Sequence, residues 1–169
     1  PDRPPDIRMN GSCAGGTGSF IDQMAALLNV TPSEFSLLAS LHRHIYPVAS
    51  RCGVFAKTDV QNMLSRNIPH EDISASVFHA VAVQCINSLA RGMTLRPKLL
   101  VCGGVLTFLP ELVKRFLDLL DFSESDLVIP EDAQLVPACG AALYDRLPSR
   151  PILVEELIGR IKSERNTPV

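Results

Sequence analysis

Nine consecutive residues, Asn10 to Gly18, hold four glycines, a cysteine, a serine and a threonine. Glycine lacks Cβ, so backbone amides in such a stretch can close on an anionic ligand, and Ser12 and Thr17 add hydroxyl donors. The stretch follows a short extended run, residues 6–10, and opens an amphipathic segment with apolar residues at 20, 21, 24, 25, 27 and 28. That is strand, glycine loop, helix, with the helix's positive end directed at the loop. The spacing is not a Walker A loop, because no Gly-Lys-Ser/Thr ends it, and the dinucleotide fingerprint fits poorly. A phosphate cradle and a plain tight turn are both compatible with these residues.

The thiols come next. Cys13 sits in the glycine loop at a helix N-terminus, a position that favours the thiolate, the form that binds metal or attacks. Cys52 lies in a glycine-flanked segment beside Arg51, the second place suited to a reactive or ligating thiol. Cys85 falls on a long apolar stripe and Cys102 ends a buried strand, so both read as small core residues, and Cys139 in a small-residue helix reads as packing. Gly103-Gly104, after the run Leu99-Leu100-Val101-Cys102, is another point where backbone can approach a ligand. Ligands of open α/β sheets sit at the carboxyl ends of strands, so two such elements reinforce each other. His42 and His44 read as a solvated pair rather than a metal site, and His79 as a hydrogen-bonded packing residue.

The elements that must position these groups follow from periodicity. Thr31-Pro32-Ser33-Glu34 has capping-box spacing and starts a helix. Residues 51–56 read as extended, and Thr58 to Gln61 repeats the capping-box spacing and starts a short helix ending near Asn67. Apolar residues at 73, 77, 78, 81, 82, 85, 86 and 89 predict a long helix over 69–91 closed by Gly92. Residues 98–102 and 127–130 read as strands around a helix over 109–120, with a small-residue helix over 138–147 and a last amphipathic helix over 152–164. Strands alternating with helices give an α/β class with a parallel or mixed sheet.

Composition bounds the rest. The chain has 169 residues, 16 Lys and Arg against 18 Asp and Glu, and 46% apolar residues. This is a globular composition, able to bury roughly two thirds of its unfolded surface. A slightly acidic balance without basic runs argues against nucleic-acid binding by bulk charge. No stretch reads as a membrane span of about 18 residues or a signal-peptide core, so no membrane contact is expected. Five cysteines, an odd number without close pairing, point to reduced thiols and a cytoplasmic setting. The start at Pro1 and the end at Val169 read as those of a fragment, with a lobe over 1–147 and a hinge plus helix over 148–169 leading to a next module.

Four segments, in order, resemble one family. Residues 9–20 (Met-Asn-Gly-Ser-Cys-Ala-Gly-Gly-Thr-Gly-Ser-Phe) resemble the loop of the activators of 2-hydroxyacyl-CoA dehydratases and the ATPase subunits of benzoyl-CoA reductase. Residues 50–60 are similar to that family's second cysteine segment, 101–105 to its glycine pair, and 134–143 to its closing small-residue helix. The resemblance implies the C-terminal lobe of an actin-, sugar-kinase- and acetate-kinase-like (ribonuclease H-like) ATPase fold. It also implies ATP or ADP with Mg2+, with Gly15, Gly16, Thr17 and Gly18 at the phosphates and Gly103 and Gly104 at the adenosine. Cys13 and Cys52 are then ligands of a [4Fe–4S] cluster that passes a low-potential electron to a 2-hydroxyacyl-CoA dehydratase-like or benzoyl-CoA reductase-like partner.

A cubane cluster wants four thiolates while one chain supplies two well-placed cysteines, so a homodimer or a paired second module is expected. The sequence departs from the family in two ways. The N-terminal lobe, with its acidic phosphate-binding hairpin, has no counterpart, which leaves the catalytic acid unassigned. Gly11-Ser12 stands where a polar-acidic pair is more usual, and residues 9–28 and the tail after 147 look closer to large multi-domain activases. A non-redox ATPase lobe and a non-catalytic docking lobe are the competing readings.

Overall fold

Helix α1 (Gly18–Leu27) buries Phe20, Ile21, Met24 and Ala25, the face its periodicity predicts. This computed structural model describes residues 6–10, 18–143, 154, 155 and 158. Helix α2 (Pro32–Ser40) starts on a complete capping box: the Glu34 amide donates to Thr31 Oγ1 at 3.2 Å, and the Thr31 amide donates to Glu34 at 2.8 Å. Proline at the first turn needs no amide partner there.

Helix α3 (Gly53–Ser65) begins earlier than the sequence predicts. Residues 53–56 are helical rather than extended, and Thr58 is an interior residue whose hydroxyl donates back to the Val54 carbonyl at 3.1 Å. The reason is packing. Ala56, Val60 and Met63 are buried at helical spacing, so the apolar stripe already starts at Ala56 and overrides the second capping-box signal.

Helix α4 (His70–Ala90) is the centre of the fold. Residues 72–78 are buried without interruption, and α2, α3 and α6 (Pro110–Leu120) pack around it. By length and composition α4 could cross a membrane, contrary to the expectation from the sequence, but most of its apolar window is buried inside the protein, as in the core helix of a globular domain. Phe78 of α4 meets Phe35 of α2 edge to face, with ring centroids 5.3 Å apart at 72°. Arg91 closes α4 in the left-handed conformation and Gly92 follows at φ +80°.

Strand β1 (Leu99–Leu100) pairs in parallel with β2 (Leu127–Val128), Leu99 opposite Leu127. Parallel strands need a crossover. Here it is supplied by α5 (Gly104–Phe108), α6 and a 3-10 turn over Glu124–Asp126. A second 3-10 turn, Ala133–Leu135, leads to α7 (Val136–Leu143). The expected strand over 6–10 has no ladder partner among the described residues; instead the Arg8 guanidinium donates to the carbonyls of Leu89 and Ala90 at 2.8 and 2.9 Å. The chain divides into two units, Pro1–Pro137 and Ala138–Val169. The predicted helix over 152–164 lies outside the described residues, apart from Val154, Glu155 and Ile158, which are helical.

Between α2 and α3 the chain runs without helix or strand, yet four of its amides are held by side chains of the neighbouring helices. Asp72 accepts the amides of Arg43 and His44 at 2.7 and 3.0 Å. Ser76 Oγ accepts the Tyr46 amide at 2.8 Å, and Asp59 accepts the Ala49 amide at 2.8 Å. Burial of Asp72 works to raise its pKa. The amides of Arg43 and His44 outweigh that and hold the carboxyl below its ordinary value.

A folded-state pKa below the unfolded one stabilises the fold above the unfolded pKa, and the contribution disappears as pH falls through the folded value. Asp72→Asn should therefore be clearly less stable than the wild type at neutral pH. The gap should close as pH drops below about 4, the ordinary carboxylate range. Urea midpoints across pH check this, and a gap independent of pH would refute it.

Candidate functional site

Three segments far apart in sequence meet at the start of α1. Gly18 abuts α5: a Cβ placed on it would stand 3.4 Å from Val105 Cγ2. Two residues on, the Phe20 ring lies against Gly53, where a Cβ would stand 3.6 Å from the ring. Phe20 itself is 6% exposed, so this contact belongs to the core rather than to a mobile surface. The exit of the first glycine loop thus touches both the Gly103-Gly104 element and the Cys52 segment.

Gly103 is at φ +90°, a conformation that favours glycine, and this turn ends β1 and launches α5. Its amide donates to the Ala133 carbonyl at 2.8 Å, and Thr107 donates from Oγ1 to the Gly103 carbonyl at 2.8 Å. Gly103 is therefore a structural pivot. Gly104 has a different reason: a Cβ there would meet only the Phe108 ring at 3.7 Å, an ordinary contact, and Gly104 lines a cavity.

That cavity holds about 230 Å³ and is bounded by Val81, Cys85, Gly103, Gly104, Leu106 and Phe116 among others. It is smaller than the roughly 300–1,000 Å³ of sites for whole drug-sized ligands, and its apolar walls suit a single flat ring system. Cys85 and Cys102 both line it and are half-buried, so neither is the closed core residue the sequence predicts. Burial pushes the Cys85 thiol up, partly opposed by a hydrogen bond that Asn10 donates to its sulfur at 3.7 Å.

Cys52 caps α3 in an extended conformation and makes no side-chain capping bond; its thiol is half-buried. It thus stands at the end of a helix, beside the Gly53–Phe20 contact. Cys13, Gly15, Gly16 and Thr17, the other predicted ligating and phosphate residues, lie outside the described residues. Among the described residues no three His, Cys, Asp or Glu side chains converge as a metal site.

Other predicted roles shift. His42 is held rather than solvated. Arginine can only donate, so His42 Nε2 accepts from Arg115 at 3.1 Å and Nδ1 donates to the Ala39 carbonyl at 2.7 Å. His79 Nδ1 is buried with no partner among the described residues, so the expected hydrogen bond is not made there. Burial first, and then the Arg115 charge, push its pKa down. Cys139 is exposed rather than packed, as are all of residues 137–143, so that helix's small-residue pattern does not form a buried face.

The chain as a whole matches a known group of proteins. The family model described as the BadF/BadG/BcrA/BcrD ATPase family matches residues 2–144. The chain belongs to that family. The 2-hydroxyisocaproyl-CoA dehydratase activator of Clostridioides difficile is 32% identical over 138 residues, covering 80% of this chain and 49% of its own. Component A of (R)-2-hydroxyglutaryl-CoA dehydratase from Acidaminococcus fermentans superposes with a TM-score of 0.70 at 30% identity, over 81% of this chain and 51% of that one. The activator of the 2-hydroxyisocaproyl-CoA dehydratase from Clostridium difficile with bound ADPNP does so with a TM-score of 0.67 at 27% identity, over 93% and 53%.

The fold is thus the α/β fold of actin-like ATPases, as the sequence implies. The chain spans about half the length of the curated relatives it matches.

Proposed function

We propose that this chain is the C-terminal lobe of an ATP-dependent activase that passes a low-potential electron from a [4Fe–4S] cluster to a CoA-substrate dehydratase or reductase. The observation that carries the reading is the meeting of Gly18, the Gly103-Gly104 element and the Cys52 segment at the start of α1. A nucleotide held by glycine backbone on one side then lies one packed contact from a ligating thiol on the other.

In this reading Gly15, Gly16, Thr17 and Gly18 present backbone and hydroxyl donors to the phosphates of ATP or ADP with Mg2+, at the positive end of α1. The cavity beside Gly104 takes the adenine ring, and the ADPNP-bound relative supports nucleotide binding by this fold. Cys52 fits as a cluster ligand, because it is a half-buried thiol at a helix end whose side chain is not used to cap that helix. The cluster, when bound, supplies a one-electron carrier of low potential. Cys13 completes the pair, and a second copy or a paired module supplies the other two thiolates. The four described thiols are all free, in keeping with a reducing, cytoplasmic setting. Residues 148–169 lead to the next module.

Anaerobic reconstitution of the intact protein with iron and sulfide tests this. We expect a brown protein with one cluster per two chains or paired modules, and ATP binding by calorimetry. The isolated chain should bind ATP weakly and hydrolyse none. Nucleotide binding without any cluster would favour a non-redox ATPase lobe instead.

A further inference from the structure

We propose that Asp59 and Gln84 position Cys52, fixing from behind the arm that carries its thiol. The inference rests on the reading of Cys52 as a cluster ligand, and it concerns residues to which that reading assigns nothing.

The arm between α2 and α3 has no ladder of its own, so side chains alone decide where it lies. The two anchors nearest Cys52 come from two different helices. Asp59, on the second turn of α3, accepts the Ala49 amide through Oδ2 at 2.8 Å. This bond joins residues ten apart and closes a loop that contains Cys52, with one end of the loop on the very helix that Cys52 caps. Gln84 of α4 accepts the Ser50 hydroxyl at 3.4 Å. Its amide nitrogen is occupied, donating to Ser88 Oγ at 2.8 Å, which turns the carbonyl oxygen towards the arm.

Fold stability alone explains neither side chain well. Asp59 is half-buried and makes no ion pair among the described residues, so its charge serves the Ala49 amide. Gln84 is 8% exposed on a helix whose other buried positions are mostly apolar or small. A charged acceptor holds an amide more tightly than a neutral one, and a buried amide with both ends used has a single orientation. Groups that orient a metal ligand from behind commonly matter to metal retention by one to two orders of magnitude.

The test uses the intact protein with Asp59→Ala, Gln84→Ala, Ser50→Ala and Asp59→Asn, the last of which keeps an acceptor oxygen. Ser76→Ala serves as control, since it loosens the same arm at Tyr46, six residues from Cys52. The first readout is alkylation of Cys52 by iodoacetamide in cluster-free protein, followed by mass spectrometry. The second is loss of the reconstituted cluster to a chelator, together with its electron paramagnetic resonance spectrum after reduction.

We expect Asp59→Ala and Gln84→Ala to alkylate Cys52 several-fold faster and to lose the cluster about tenfold faster, with an altered spectrum. Ser50→Ala should copy Gln84→Ala from the other end of the bond, which keeps the test decisive if a buried substitution misfolds. Asp59→Asn, which keeps an acceptor but loses the charge, should fall between the wild type and Asp59→Ala, and Ser76→Ala should stay near wild type. Unchanged Cys52 reactivity in folded Asp59→Ala and Ser50→Ala overturns the proposal, and so does an equal change in Ser76→Ala. If the wild type takes up no cluster, the electron-transfer reading fails, while the alkylation rates still decide whether these residues hold Cys52.

Discussion

Cys52→Ser in the intact protein is expected to abolish the visible iron–sulfur absorption, and Cys13→Ser to do the same. In a cluster shared across a two-fold axis each substitution removes two of four thiolates at once, so the loss should be complete rather than graded. Cys85→Ala and Cys102→Ala should retain the cluster. They line the cavity beside Gly104, where the proposed reading puts the adenine ring, so any effect should fall on nucleotide affinity. Iron and sulfide content, absorption spectra and nucleotide titrations on the same preparations check both halves. A cluster retained in a Cys13/Cys52 double substitution sinks the ligand assignment.

Phe35→Ala should cost about 4 kcal/mol, the range for removing a large buried aromatic ring. Phe35 is fully buried, and its edge-to-face partner Phe78 lies on α4, the helix that α2, α3 and α6 pack against. The melting temperature should fall by on the order of 10 °C. Leu37→Ala, two residues along the same helix but 66% exposed, should change stability by no more than about 0.5 kcal/mol. Thermal melts of the two variants side by side provide the check, and equal effects would mean that α2 does not anchor on α4 as described.

What could be read from the residues follows from how local each signal is. The Thr31–Glu34 box, the α1 stripe and the long stripe of α4 act within a few residues, and all three elements form as expected. The glycine pair after β1 and the short β2 segment were equally legible. The start of α3 was misread because Thr58 carries a capping signal, whereas the decisive signal was the spacing of Ala56, Val60 and Met63.

The tethering of the arm could not be read at all. Asp72 and Ser76 meet amides 28 to 30 residues away, and nothing in a helical pattern tells a carboxylate that serves another segment from one that favours its own helix dipole. The same holds for the meeting of Gly18 with Val105 and of Phe20 with Gly53. Each residue looks like turn or core by itself, and only the packing of α1 against its neighbours makes a site of them.

An arm tied by side chains rather than by a ladder has a consequence for access. Segments open locally at free energies set by what they expose, and this one would expose Ile45, Tyr46 and Val48, which are only partly buried, together with polar groups that water can satisfy. It can peel away while α2, α4 and α6 stay assembled. In the proposed cluster reading, iron and sulfide would then reach the Cys52 thiol, and leave it, through a transient breach in one strip of chain, on a path that never requires the core to melt.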